Sequence, residues 1–164
     1  MSRWREPKPS SSPYITQDGY SALESELQEL WQRRVEVTRA LTAAAAEGDR
    51  SENAEYIYRK KELRGIDSRI GYLQRRMPKL KVVSRVEDIS KIFFGAWVTL
   101  EDDSEQKNRY RIVGPDELDN NQDYISIDSP LARALLGKLC DDEISLKLGT
   151  NIQNYYILEI DYAW

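Results

Sequence analysis

Two runs of apolar residues, with alternating spacings of three and four, most constrain how this chain can fold. The first run contains Leu23, Leu27, Leu30, Val37, Leu41 and Ala44. Arg34 alone interrupts that series. The second run contains Leu63, Ile66, Ile70, Leu73 and Met77. This spacing places all members of a run on one face of an α-helix and is typical of a coiled-coil seam. The sequence therefore predicts two helices, each with one apolar face.

The segment between the two runs predicts a tight turn. It reads EGDRS at residues 47–51. Its glycine favours the end of one helix, and Asp49 or Ser51 can cap the next. The first helix is expected to begin at Thr16 or Asp18, where polar residues precede the apolar run.

Two matching helices joined by a tight turn predict an antiparallel hairpin over residues 14–80. The second helix is expected to run from about Glu52 to Met77, because Pro78 ends it. At a rise of 1.5 Å per residue the hairpin reaches roughly 40 Å, which is longer than its own core requires. Residues 1–13, rich in proline, serine and basic side chains, are expected to form a disordered tail.

The remainder, residues 81–164, changes to short runs that are typical of strands. These runs cover residues 93–100, 109–113, 124–127, 144–148 and 155–160. A short helix between the third and fourth runs has Pro130 near its start and Gly137 at its end. The predicted fold class is therefore α+β, with an N-terminal helical hairpin and a mostly antiparallel sheet packed on a helix.

Composition narrows the chemistry that is available. Histidine is absent and Cys140 is the only cysteine, which excludes imidazole-dependent triads and multi-cysteine metal sites. Cys140 follows Leu139 and is expected to be a small core residue. No glycine-rich phosphate loop occurs. A formal net charge of −4 argues against a protein that coats duplex DNA. Aspartate and glutamate side chains therefore remain as the candidates for any chemical role.

No apolar run approaches the roughly 20 residues of a membrane span. The N-terminus also lacks the apolar core of a signal peptide. The expected location is cytoplasmic, with no membrane partner. Because the heptads pair within one chain, a monomer is expected.

The predicted turn is rich in acidic residues, and two of them, Asp49 and Glu52, are three residues apart in the sequence. In one interpretation they form a capping box at the start of the second helix. In the other they project together and coordinate a hard divalent cation such as Mg²⁺. Two carboxylates alone bind Mg²⁺ weakly, so this second role requires another molecule to complete the coordination sphere, as in two-metal phosphoryl transfer.

The second helix carries basic residues behind this turn. They are Arg59, Lys60, Lys61, Arg64, Arg69, Arg75 and Arg76. Lys60 and Arg64 fall on adjacent turns and form a stripe that can follow the phosphates of single-stranded nucleic acid. The alternative is an ordinary solvated helix face.

The string GDRSENAEY at residues 48–56 resembles the tip signature of the bacterial Gre transcript-cleavage factors. RSENAEY and the basic helix after it resemble the GreB branch of that family. FFGAWV, YRIVG and YISIDSPLARALLGK resemble successive strands and the helix of the Gre C-terminal domain, which is FKBP-like. The resemblance extends from about residue 14 to the end. It implies an accessory transcription elongation factor rather than an independent enzyme.

The resemblance also implies roles for named residues. The hairpin is expected to enter the secondary channel of a backtracked RNA polymerase. There Asp49 and Glu52 are expected to help hold the second catalytic Mg²⁺ and position the attacking water, so that the polymerase cleaves its own RNA. Arg59, Lys60 and Arg64 are expected to face the 3′ segment of the nascent RNA.

Asp128, Ser129 and Pro130 are the positions that the resemblance assigns to docking of the C-terminal domain on the polymerase. Without the resemblance, these three residues are the turn that starts a helix. Two other functions stay open. One is a non-catalytic regulator or inhibitor that only occupies the channel, and the other is a hairpin that binds RNA without polymerase.

Overall fold

The computed structural model describes residues 11–48 and 53–163. The described residues divide into two compact units. The hairpin unit is Tyr20–Leu80, and the sheet unit contains the described residues up to Gly19 and from Lys81 onwards. This division differs from the expected hairpin boundary at residue 14, because the residues before Tyr20 make their contacts within the sheet unit.

The hairpin is formed by two helices, α1 (Gln17–Ala45) and α2 (Ala54–Arg76). A 3₁₀ turn, Met77–Lys79, follows α2. Both predicted helices are confirmed. The first begins after Thr16 as expected, since the Thr16 hydroxyl accepts a hydrogen bond from the Gly19 amide at 3.0 Å.

The predicted apolar seam is confirmed. Its buried members are Leu23, Val37, Ala44, Ile66, Ile70 and Leu73. Val37 packs with Ile66 and Ile70 in one cluster. At the interrupted position, the Arg34 Nε donates to Asp67 Oδ1 across the hairpin at 2.7 Å, so an ion pair replaces an apolar contact.

A five-stranded sheet forms the centre of the sheet unit. Its strands are β3 (Trp97–Asp102), β4 (Lys107–Val113), β5 (Tyr124–Ser126), β6 (Glu143–Leu148) and β7 (Asn151–Asp161). They lie in the order β5-β4-β3-β7-β6. Only the β4–β5 pair is parallel among these neighbours. The helix α3 (Pro130–Leu135) follows β5. The α+β prediction is confirmed.

Two strands start four residues away from the start of the predicted run. The run at 93–100 enters β3 only at Trp97, because Gly95 adopts φ 88 and a turn bond joins the Ala96 amide to Phe93 O at 3.2 Å. β7 begins at Asn151 rather than at Tyr155, because its polar first residues pair with β6. Backbone pairing extends this strand beyond its apolar pattern.

A short parallel pair of strands was not predicted. It joins β1 (Tyr14–Thr16) to β2 (Lys81–Val83). The pairing starts before β1, where the Lys81 amide donates to Pro13 O at 2.7 Å. Pro13 lies in the segment expected to be a disordered tail, so the last residues of that segment contribute to the sheet unit.

One face of the main sheet covers a contiguous apolar core. Its fully buried members include Ile92, Val98, Ile112, Leu135 and Ile157. Cys140 is not among them: it is exposed, and the prediction that it is a core residue is wrong. It lies in a surface turn beside Leu139, which is itself 43% exposed.

A buried carboxylate ties the start of α1 to the sheet unit. Glu117 is 1% exposed and accepts from the Thr16 amide at 2.8 Å, the Thr16 hydroxyl at 2.5 Å and the Gly114 amide at 3.0 Å. A side chain at position 114 would clash, because its Cβ would lie 1.9 Å from Tyr14 O. Glycine therefore permits this close packing.

No helix within residues 11–48 and 53–163 is long and apolar enough to cross a membrane.

Candidate functional site

The hairpin reverses direction between Ala45 and Ala54. After α1, Gly48 adopts φ 137, a conformation that favours glycine. The predicted carboxylate pair, Asp49 and Glu52, falls within residues 49–52, which lie outside the described residues.

The cap of α2 is Asn53. Its Oδ1 accepts from the Tyr56 amide at 3.1 Å, and its Nδ2 donates to Ala44 O at 2.7 Å. The prediction that Asp49 or Ser51 caps this helix is wrong, because α2 begins two residues later than expected. Asparagine is among the favoured capping residues, so the signal was present in the sequence.

The Arg59 guanidinium is held by acidic side chains of the hairpin. It donates to Glu55 Oε1 at 2.9 Å and to Glu62 Oε2 at 3.3 Å. Glu62 also accepts from Arg33 of α1 at 2.6 Å, so these charges link the two helices. The hydrogen bond that Arg59 donates to Glu55 is the main reason that the pKa of Arg59 is raised. Arg59 therefore has a structural role beside its predicted contact with RNA.

Lys60 and Arg64 lie one helical turn apart on α2, and both are exposed. The Lys60 ammonium lies over the Tyr56 ring, 5.9 Å from its centroid. No ion pair joins Arg64 to another residue of the described ranges. Of the three predicted RNA contacts, these two have side chains that are available to a ligand.

The turn at Asp128 starts α3, as the sequence predicts. The Ser129 hydroxyl caps that helix by accepting from the Ala132 amide at 3.2 Å, and Pro130 occupies its first position. The Asp128 carboxylate accepts from the Ser12 amide at 2.9 Å and also from the Ser12 hydroxyl. The segment before β1 is thereby attached to the predicted docking turn.

An apolar groove begins beside this turn. Its wall includes Ile127, directly before Asp128, together with Tyr14, Phe94 and Leu136. Charged residues at 85, 87 and 88 also line it. Hydrogen bonds from the hydroxyl and the amide of Ser90 lower the pKa of Asp88, so this carboxylate keeps its charge in mildly acidic solution. The turn and the groove together form an apolar surface with a charged border.

In the described ranges, 11–48 and 53–163, no group of three or more acidic or cysteine side chains is placed to hold a metal ion.

Two family models match the chain in succession. The model described as "Transcription elongation factor, N-terminal" matches residues 13–82. The model described as "Transcription elongation factor, GreA/GreB, C-term" matches residues 87–162. The first match covers β1 and the hairpin, and the second covers the main sheet with α3.

Curated relatives match over nearly the full length. The chain is 54% identical to transcription elongation factor GreB of Pseudomonas aeruginosa, with 99% of this chain and 98% of the relative covered. It is also 54% identical to the GreB of Xanthomonas axonopodis pv. citri, with 99% of each covered. The GreB of Yersinia pestis is 51% identical and matches 93% of this chain and 91% of its own length.

Solved structures of similar proteins are more distant. A structure of the transcription factor Gfh1 is 24% identical, with a TM-score of 0.45, 93% of this chain covered and 99% of the other. A GreA/GreB elongation factor from Nitrosomonas europaea is 22% identical, with a TM-score of 0.41, 92% of this chain covered and 100% of the other.

Proposed function

We propose, because the chain belongs to the GreA/GreB family of transcription elongation factors, that it rescues backtracked RNA polymerase by stimulating cleavage of the nascent RNA. In this proposal it is an accessory factor that acts as a monomer. The polymerase carries out the hydrolysis, and this chain contributes carboxylate groups to that reaction.

Asp49 and Glu52 are the groups that we assign to the chemistry. Their oxygen atoms suit Mg²⁺, a hard cation, and two carboxylates leave positions on the ion for the polymerase and the RNA. A second Mg²⁺ held there would activate water and stabilise the oxygens of an in-line displacement. The carboxylates would orient that water as well as hold the ion.

The observation that carries the proposal is the cap of α2. Asn53 supplies that cap through its bond to the Tyr56 amide, so the helix start does not require Asp49 or Glu52. The capping-box interpretation gave these two carboxylates a purely structural task. Because another residue fills that task, the observed cap supports the proposed role of the two carboxylates in binding a cation.

Lys60 and Arg64 extend the proposed site along α2. Both are exposed on one helix face, and neither forms an ion pair within the described ranges. Cations at that spacing can follow successive phosphates of single-stranded RNA. Arg59 contributes mainly through its ion pairs with Glu55 and Glu62 within α2, and Glu62 also pairs with Arg33 of α1.

Docking on the polymerase is assigned to Asp128, Ser129 and Pro130. The turn is held by the Ser129 cap and by the bonds from Ser12, so its shape is set before binding. A preformed turn loses little conformational entropy on association. The apolar groove that starts at Ile127 adds contact area beside it.

The test is RNA cleavage in purified backtracked elongation complexes that contain Mg²⁺. Wild type is compared with Asp49→Asn and Glu52→Gln, which keep the side-chain shapes and remove the charges. We expect each variant to lower the maximal cleavage rate by roughly a hundredfold while polymerase binding is retained. Wild-type binding with slower polymerisation and no RNA cleavage would instead identify a non-catalytic channel regulator.

A further inference from the structure

The strand β6 forms one edge of the five-stranded sheet and has β7 as its neighbour. No second strand from residues 11–48 and 53–163 pairs with β6. An edge strand presents backbone amides and carbonyls outward, where a further strand can bind them. β5, at the opposite edge, has three residues, whereas β6 has six. β6 is therefore the longer of the two edges that this sheet offers to another chain.

The outer face of β6 carries two opposite charges. Glu143, Ser145 and Lys147 are all exposed. Successive side chains of a strand point to opposite faces of the sheet, so these three share one face. Ile144, between the first two, is 5% exposed and belongs to the apolar core on the other face. The outer face therefore has a carboxylate and an ammonium four residues apart, with a serine midway between them.

The two charged side chains differ in their partners within the chain. The negative charge of Glu143 lies beside the Tyr156 hydroxyl of β7 and is the main reason that the pKa of Tyr156 is raised. Lys147 faces Ile152 in the register of β6 and β7. No ion pair joins Lys147 to an acidic residue in the described part of the chain. Its ammonium is therefore available to a carboxylate from another molecule.

We propose that β6 is a self-association edge, which binds β6 of a second copy of this chain in an antiparallel pair centred on Ser145. In that register Glu143 of each copy lies opposite Lys147 of the other, and opposite charges at facing positions stabilise a strand pair. Ile144 of each copy faces Leu146 of the other on the core side. A two-fold axis through Ser145 makes both sets of contacts identical.

Charge selects this register among those that keep the outer faces of both copies on the same side. A slip of two residues sets Ser145 opposite Glu143 or Lys147, so no opposite charges face each other within the two strands. A slip of four residues sets like charges opposite each other. Charged residues on an edge strand often discourage pairing with other chains. On β6 the two charges instead match their own two-fold image, which favours a second copy over an unrelated peptide.

The proposed pair is expected to be weak. Six residues at a strand edge bury much less surface than the roughly 1,200 Å² of the smaller stable interfaces. We therefore expect a dissociation constant on the order of 100 µM. At much lower concentrations the chain stays a monomer, so this pairing is compatible with the monomeric factor of the proposed function and does not depend on that function.

The experiment is sedimentation velocity of the full chain over protein concentrations from about tenfold below to about tenfold above this dissociation constant. The average mass of wild type is expected to rise from that of a monomer towards that of a dimer, and less steeply in high salt. A wild type that stays monomeric over the whole range would overturn the proposal.

Glu143→Lys and Lys147→Glu each set like charges opposite each other in the pair. We expect each variant alone to associate at least about tenfold more weakly than wild type. Glu143→Lys also changes the formal net charge from −4 to −2, so general repulsion between copies falls. Stronger association of Glu143→Lys would therefore contradict the proposal and indicate non-specific attraction.

An equimolar mixture of these two variants tests the register directly. The lysines of one copy then lie opposite the glutamates of the other, so two pairs of opposite charge form again. The mixture is expected to form a mixed dimer with an affinity within about threefold of wild type. This result would also show that neither variant had lost its fold. A mixture that stays monomeric would overturn the proposed pairing.

Glu24→Lys is the matched control, because it makes the same change of net charge at an exposed position of α1. It is expected to associate at least as well as wild type. A loss of association equal to that of Glu143→Lys would overturn the proposal, since the position of the charge would then not matter.

Amide hydrogen exchange locates the contact. In wild type, the outward amides of β6 are expected to exchange more slowly at concentrations above the dissociation constant than in dilute solution, while β5 amides do not change. Slower exchange that appears elsewhere and spares β6 would assign self-association to a different surface and overturn the proposal.

Discussion

The hairpin and the sheet unit bury their apolar residues in different ways. In the hairpin the buried cluster of Val37, Ile66 and Ile70 has only half-buried leucines beside it. In the sheet unit, Ile112 and Ile157 are fully buried within one contiguous core. The hairpin therefore depends on a narrow seam, whereas the sheet unit depends on a filled interior.

The two units also differ in how they place charged side chains, which are exposed in the hairpin pairs and buried at one position of the sheet unit. The hairpin pairs Arg34 with Asp67 and Arg69 with Glu26, with every partner more than a third exposed. The sheet unit instead buries the Glu117 carboxylate among backbone amides and a hydroxyl. Exposed pairs contribute little to stability, while a buried carboxylate contributes strongly once its donors are in place.

The difference supports the separate roles that are proposed for the two units. A narrow seam leaves large side chains exposed on the hairpin surface, including Trp31, Val35 and Tyr58, which are 46%, 52% and 59% exposed. The sheet unit uses its residues for its own core and presents a short turn and a groove. In the proposed function, the hairpin would supply the reach and the sheet unit would supply a fixed docking shape.

The sharpest test of this comparison truncates one isoleucine in each unit. Ile112→Ala is expected to lower the free energy of unfolding of the sheet unit by about 3 to 5 kcal/mol, and Ile70→Ala that of the hairpin by about 2 to 3 kcal/mol. The smaller loss is expected because an open seam can close around the missing atoms. Urea unfolding followed separately for each unit measures both values, and equal losses would contradict the contrast.

The second largest effect is expected at the buried carboxylate. Glu117→Ala leaves the donors of Thr16 and Gly114 unpaired and is expected to lower the free energy of unfolding by about 3 kcal/mol. Glu117→Gln keeps a carbonyl acceptor and the side-chain shape, so about 1 kcal/mol is expected. Thermal unfolding distinguishes them. A Glu117→Ala protein as stable as wild type would show that these bonds do not hold the start of α1.

A smaller effect is expected from substitutions of the basic residues of α2, and it should differ between residues with and without an ion-pair partner. Lys60→Gln and Arg64→Gln are each expected to weaken cleavage about two- to tenfold, with less dependence on salt and an unchanged hairpin melting temperature. Arg59→Gln is expected to lower that melting temperature, because it removes the bonds to Glu55 and Glu62. If all three variants melted alike, the structural role of Arg59 would be wrong.

The smallest effect concerns Tyr162, whose hydroxyl accepts from the Phe93 amide at 2.8 Å and donates to Lys91 O at 2.6 Å. Burial raises its pKa. Its contribution to stability is therefore complete below the ordinary tyrosine pKa and is lost as pH rises through the folded value. Tyr162→Phe is expected to lower the free energy of unfolding by about 1 kcal/mol at neutral pH.

The control for Tyr162→Phe is the pH dependence of the free energy of unfolding, measured for the variant and for wild type. The variant is expected to lose less stability than wild type between neutral and alkaline pH in denaturant titrations. Parallel profiles for the two proteins would contradict the assignment to this hydroxyl.

The hairpin was the more predictable of the two units. Its seam repeats in sequence, so spacing alone placed the run from Leu23 to Ala44 on one face of the first helix. The run from Leu63 to Met77 was placed on one face of the second helix in the same way. The cap at Asn53 was missed because the Asp49 to Glu52 spacing offers a second plausible cap, and only the observed start of α2 at Ala54 decides between them.

Long-range pairing limited prediction in the sheet unit. β1 and β2 are three residues each and pair across more than sixty residues, so no local pattern reveals them. The bond between Ser12 and Asp128 is equally non-local. Cys140 was misplaced because an apolar neighbour suggests burial, whereas the turn at that point directs both residues outward.

The most direct measurement of the central claim titrates the Asp49→Ala, Glu52→Ala double variant into backtracked elongation complexes that contain a fixed amount of wild type. The account predicts that the double variant occupies polymerase through its intact docking turn and hairpin shaft, and suppresses wild-type cleavage without cleaving RNA itself. Cleavage by the double variant at the wild-type rate would contradict the account, because the two carboxylates would then have no part in the reaction.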